Sequence, residues 1–114
     1  MTTKHREFFG DKEREFHMTP KLIGELERVT DAGIGKLCKR LFAGDFTHND
    51  ICETIRLALI GGGLEPWEAA NLVNVYAMEA PLGRVYPLAV SILEAAWFGA
   101  DAQEAAKEGA SNAA

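Results

Sequence analysis

The chain is poor in the residues that build covalent or metal-held scaffolds. It has two cysteines and three histidines in 114 residues. Cys38 and Cys52 are too few for a disulfide framework, and no Cys-x-x-Cys or His-x-x-x-His spacing supplies the paired ligands of a zinc site. Both cysteines fall among apolar residues in helical patterns and read as reduced core side chains. No metal or other cofactor is expected. Positive charge is also scarce. Seventeen acidic against twelve basic residues leave a formal net charge of −5, which argues against a phosphate backbone as the main partner. Long apolar runs are missing too: Val85 to Phe98 is interrupted by Pro87, Ser91 and Glu94 and is shorter than the ~20 residues that cross a bilayer. Met1 to Gly10 holds no apolar stretch of signal-peptide length, so a cytoplasmic location is expected.

What remains, 47% hydrophobic and 25% charged residues, is the composition of one globular domain. Residues 5–18 read as a β-hairpin, with Gly10-Asp11 supplying the positive φ angles of a two-residue turn. If Phe9 and Lys12 flank that turn, Glu7 opposes Arg14 and Arg6 opposes Glu15, two pairs of opposite charge. Phe9, Phe16 and Met18 then share one face, which must rest on a larger body because an isolated hairpin is marginal in water.

Helical signals fill residues 20–99. Thr19-Pro20 is a helix start, threonine as N-cap and proline at the first helical position. Leu22, Leu26 and Val29 form its apolar stripe, ending near Asp31-Ala32-Gly33. Ile34, Leu37, Cys38, Leu41 and Phe42 mark a second helix as far as Gly44, with Lys36, Lys39 and Arg40 outward. Thr47 to Asp50 has the spacing of a capping box, an aspartate replacing the usual glutamate, and opens a third helix with Ile51, Ile55, Ala58 and Leu59 buried. Gly61-Gly62-Gly63 ends it. Pro66 primes a fourth, with Ala69, Leu72, Val73, Tyr76 and Ala80 in helical period as far as Pro81. The fifth, from Pro81 or Pro87 to Phe98, is apolar on all sides, so it is either the central helix of the domain or carries an exposed apolar strip. Residues 100–114 hold no large apolar side chain and are expected to be a disordered tail. The fold class is therefore α+β and mainly helical: a short hairpin on about five helices, in a single domain over residues 5–99.

Catalytic motifs are absent. Gly33-Ile34-Gly35 lacks the third glycine of a dinucleotide loop, since Cys38 stands there, and Gly61 to Gly63 is followed by no Gly-Lys-Ser/Thr. His48 reads as an exposed first-turn residue. The basic stripe of helix two raises a DNA-binding regulator as an alternative, weakened by the acidic balance of the chain. The protein is therefore expected not to be an enzyme. The unexplained surplus is hydrophobic: Trp67, Met78, Tyr86, Leu93, Trp97 and Phe98. These residues either pack against the hairpin and helix one or form a protein-binding surface for an apolar partner helix.

The order of landmarks resembles a known family. Phe16-His17-Met18-Thr19-Pro20 followed by Leu22-Ile23-Gly24-Glu25-Leu26-Glu27, the stretch Asp45-Phe46-Thr47-His48-Asn49-Asp50-Ile51, and Tyr86-Pro87-Leu88-Ala89 through Trp97-Phe98-Gly99 are similar to small proteins from the tail-gene region of phage-like gene transfer agents. That family is itself similar to tail assembly chaperones and is sometimes labelled a tail tube component. The resemblance implies a chaperone that binds the tape-measure protein and recruits tail tube subunits. The alternative it leaves is a structural tail tube component that stays in the particle. The legible elements favour the chaperone, because one hairpin offers little β-structure for a ring.

Overall fold

The computed structural model describes residues 2–99. The expected tail from residue 100 onward lies outside the described residues. Two antiparallel strands, β1 (Lys4–Phe9) and β2 (Lys12–His17), precede five helices: α1 (Pro20–Thr30), α2 (Ile34–Phe42), α3 (His48–Gly61), α4 (Pro66–Tyr76) and α5 (Leu82–Phe98). The fold class read from the sequence is the one observed.

The strands pair in the expected register, with Phe9 opposite Lys12, Glu7 opposite Arg14 and Arg6 opposite Glu15. Only Gly10 of the turn has a positive φ, at 76°, the arrangement of a turn with glycine at its first central position. The ion pairs differ from those expected. Arg6 reaches diagonally across the ribbon to Glu13 at 2.8 Å, since long side chains reach diagonal neighbours as easily as direct ones, and Arg14 turns back along its own side of the hairpin to Asp11 in the turn at 2.9 Å. Phe9, Phe16 and Met18 are buried as expected. The Phe9 ring meets Phe16 and Tyr76 edge-on, with centroids 6.0 and 6.1 Å away.

Local chemistry sets the helix boundaries. Thr19 Oγ1 accepts the Leu22 N–H, and Pro20 occupies the first turn of α1. Asp31 ends that helix in the left-handed region at φ 54°. Glu27 then bridges the α1–α2 turn, its carboxylate accepting the Ile34 N–H at 2.8 Å. At the end of α2 the N–H of Asp45 reaches the Arg40 carbonyl and that of Gly44 the Leu41 carbonyl, the paired closure that a glycine of positive φ allows. The capping box of α3 is complete: Thr47 Oγ1 accepts the Asp50 N–H at 3.1 Å, and Asp50 Oδ2 accepts the Thr47 N–H at 3.0 Å. Helix α4 stops at Tyr76, so Ala80 lies in the connection to α5.

The central helix is α3, not α5. Eight of its residues are buried, from Asp50 to Leu59, and it packs against β2, α1, α4 and α5. Helix α5 buries Val85, Leu88, Ala89, Ile92, Leu93 and Ala95 while Leu82, Trp97 and Phe98 remain exposed, so it carries the exposed apolar strip. Its apolar surround misleads because Leu82 at one end and Trp97 and Phe98 at the other project beyond the neighbours that cover its middle. Both cysteines are buried and unpaired, and burial pushes the Cys38 thiol up to about 11.

The end of α3 meets β2 backbone to backbone. A two-residue turn makes Phe9 and Lys12 a hydrogen-bonded pair, so Glu13, Glu15 and His17 direct their main-chain groups away from β1. The carbonyls of Glu15 and His17 point at α3, and Gly61 and Gly62 are where the helix receives them. A Cβ on Gly61 would lie 1.7 Å from the His17 oxygen, and one on Gly62 would lie 1.9 Å from the Glu15 oxygen. The glycine run is thus a helix end and also the contact that covers the β2 edge.

Candidate interaction surface

The six side chains singled out as a partner surface divide into two groups. Trp67 in the first turn of α4 is 71% exposed, and Trp97 and Phe98 at the end of α5 are 56% and 55% exposed. Met78, just past α4, is also open to solvent. Leu93 is fully buried and leaves the candidate set as a core residue. Tyr86 is half-buried, and both its polar and its ring contacts are taken up within the domain. Its hydroxyl donates to the Leu41 carbonyl at 2.6 Å, and its ring stacks on Phe46 with centroids 4.6 Å apart. Tyr86 therefore fastens α5 to α2 and to the loop before α3.

The exposed members come from two elements. Helix α4 buries only the small residues Ala69 and Val73 and rests chiefly on α3. Its solvent side carries Trp67 and Val75, and Tyr76 and Met78 follow at its exit. The second group closes α5. Sequence reasoning missed Phe8, Phe42, Val75, Tyr76 and Leu82, all of which are exposed. For Phe8 a signal existed: strand alternation must turn one of two adjacent phenylalanines outward once Phe9 is inward.

Between α3 and α4 runs an open groove of about 470 Å³, bordered by Asn49, Cys52, Arg56, Asn71, Asn74 and Met78. His48 Nε2 donates to the Met78 carbonyl at 3.0 Å and lies 3.7 Å from the Cys52 sulfur. This is no activated dyad. Burial, aided by the charge of Glu53, pushes the Cys52 thiol up, which keeps it protonated and unreactive near neutral pH. Arg56 is paired with Glu53 at 2.5 Å. Among the described residues no three metal-binding side chains cluster, and no helix is long and apolar enough to cross a membrane. The basic stripe of α2 is also thinner than its sequence, because Arg40 turns inward to Asp50.

An interior assignment and a surface assignment make opposite predictions. Leu93→Ala should cost about 2–5 kcal/mol, as deletion of a buried leucine does. Trp97→Ala and Phe98→Ala should each cost about 1 kcal/mol or less. Urea unfolding of the three variants checks this, and equal losses at all three positions would place the aromatics in the core.

A family model described as phage tail tube protein, GTA-gp10, matches residues 2–99. The chain belongs to this family. Membership covers the hairpin and all five helices, and it makes the chain a protein of the tail region of a phage-like particle or gene transfer agent. The family description supports a structural, tail-associated role more directly than a chaperone role, and it points to other tail proteins as partners. Comparison with curated proteins and with solved structures finds no significant match.

Proposed function

We propose that this family member is a nonenzymatic structural component of the tail of a phage-like particle, assembling with other tail proteins through the apolar side chains it leaves exposed. The observation that carries the reading is the family match across every described residue. The exposed Trp67, Met78, Trp97 and Phe98 support it, since aromatics and methionine are enriched in interface cores.

A second reading has one observation in its favour. The only sheet among the described residues is a two-stranded hairpin, and helices make up the rest, as suits an assembly chaperone that shields the apolar helices of a tape-measure protein. Mass spectrometry of purified particles separates the two. A structural component is expected in particles at a fixed ratio to the other tail proteins. Absence from particles, together with a soluble complex on coexpression with the tape-measure protein of the same gene neighbourhood, would favour the chaperone and overturn the structural reading.

A further inference from the structure

Helix α4 turns Ala69 and Val73 inward. On the opposite side Trp67, Asn71, Asn74 and Met78 stand at i, i+4, i+7 and i+11, all exposed, the spacing of one seam along a helix. Met78 keeps close to that spacing because its N–H, like that of Ala77, bonds to the Val73 carbonyl and prolongs the last turn. The seam is uncharged in a chain with 25% charged residues. Glu68 and Val75 border it on one side, and on the other runs the groove against α3. His48 bonds the Met78 carbonyl, so the Met78 end of that groove is the end lined by Asn49 and Cys52.

The two asparagines decide what can cover the seam. Their side chains bond to nothing among the described residues, and a buried amide needs both a donor and an acceptor from whatever covers it. An apolar helix would leave both amides unpaired, and a charged one would find no opposite charge on the seam. A second α4 laid antiparallel supplies the match. The seam is symmetric about its midpoint between Leu72 and Val73, so Asn71 of each copy meets Asn74 of the other, amide to amide. In the same arrangement each Trp67 meets Met78 of the other copy, at the end of its groove.

We infer that the chain pairs with a second copy of itself through α4, antiparallel and two-fold symmetric, each Trp67 entering the other copy's groove beside Met78 and Cys52, whose sulfurs suit an aromatic ring. Asn71 against Asn74 fixes the register, as a polar residue within a helical seam does. The size agrees with a weak dimer. Trp67 is 71% exposed, so the two indoles, with the surface they cover on the other copy, remove about 400–700 Å² from water. That is about half of the ~1,200 Å² at which specific interfaces begin, and the rest of the seam and the groove walls supply the remainder. Glu65, Glu68 and Glu79 lie outside the seam and take part in no ion pair among the described residues, and no basic residue stands between Arg56 and Arg84. Two copies therefore bring like charge to the rim, and pairing should tighten as salt screens it. The inference is independent of the tail assignment, because it is read on the purified chain alone.

Sedimentation equilibrium of the full chain at concentrations up to about 1 mM tests it. A monomer–dimer equilibrium is expected. Trp67→Ala should weaken it at least about thirtyfold, the effect of losing a hot-spot aromatic, whereas Trp97→Ala, also at an exposed position but on α5, should leave it unchanged. Asn71→Lys and Asn74→Glu should each weaken pairing about tenfold, by leaving a charge in the seam without a partner. The double variant should restore it, since each lysine then faces a glutamate of the other copy. A parallel pairing would set lysine against lysine and gain nothing from the second change. All these positions are on the surface, so the variants keep the fold. A chain that stays monomeric throughout, a dimer lost equally in Trp97→Ala, or a double variant no better than either single one would overturn the inference.

Discussion

Gly61→Ala is expected to leave the chain largely unfolded. The new Cβ would stand 1.7 Å from the His17 carbonyl oxygen, far inside contact distance, and neither backbone can yield alone. Moving α3 strips the core from its most buried helix, and moving β2 breaks its pairing with β1. Overpacking by a methyl group typically costs about 1–3 kcal/mol where side chains can shift. Here the obstacle is main chain, and a loss above about 4 kcal/mol is expected, the range reached by few single substitutions. Gly24→Ala is the control, because nothing lies within 4 Å of a Cβ at that position on the exposed side of α1. There the same chemical change should stabilise by about 0.5–1 kcal/mol through helix propensity. Thermal unfolding of the two variants checks both signs, and a folded Gly61→Ala protein of ordinary stability would refute the close approach.

Asp50→Ala should also destabilise the chain, by a smaller amount. Asp50 is 1% exposed and accepts two hydrogen bonds from Arg40, at 2.7 and 2.8 Å, while also capping α3 at Thr47. The Arg40 side chain is 23% exposed and can turn to solvent, so the cost is that of the lost charge-assisted hydrogen bonds and cap, about 2–3 kcal/mol. Burial alone would raise the Asp50 pKa. The Arg40 hydrogen bonds and the Thr47 cap outweigh it and hold the carboxyl below its ordinary 3.8. The linkage sign follows. A depressed native pKa contributes stability that is fully present above the unfolded-state value and is lost as pH falls through the native one. The wild-type chain should therefore lose stability below about pH 4, and Asp50→Ala should show a flatter acid limb in urea unfolding between neutral pH and pH 3. An unchanged acid limb in the variant would mean that other carboxylates govern acid unfolding.

Elements governed by local chemistry were legible before any coordinates. Thr19-Pro20 and the Thr47–Asp50 box act within one helical turn, and the hairpin register follows from Gly10 and strand alternation. Which helix sits at the centre was not legible, because α3 reads as ordinarily amphipathic until Asp50, Cys52 and Thr54 are seen buried too. Asp50 hides its role in particular: its capping bond is local, but its ion pair to Arg40 spans ten residues and turns an apparent surface cation inward. The glycine run shows the same limit from the other side. A helix end can be read from Gly61 to Gly63, but the approach of β2 to Gly61 and Gly62 belongs to tertiary structure. The candidate surface was half legible. Hydrophobic excess identified Trp67, Met78, Trp97 and Phe98, but excess alone could not separate them from Leu93, which is interior, or from Tyr86, whose ring and hydroxyl are both engaged.

The chain has two tryptophans, and both are exposed. Intrinsic fluorescence should thus be red-shifted in the native state and should change little on unfolding, so it is a poor reporter of folding. The same placement makes it a sensitive reporter of assembly. A blue shift on mixing with a tail partner would mean that indole rings have left water, and substituting Trp67 or Trp97 singly would show which end of the molecule had become covered.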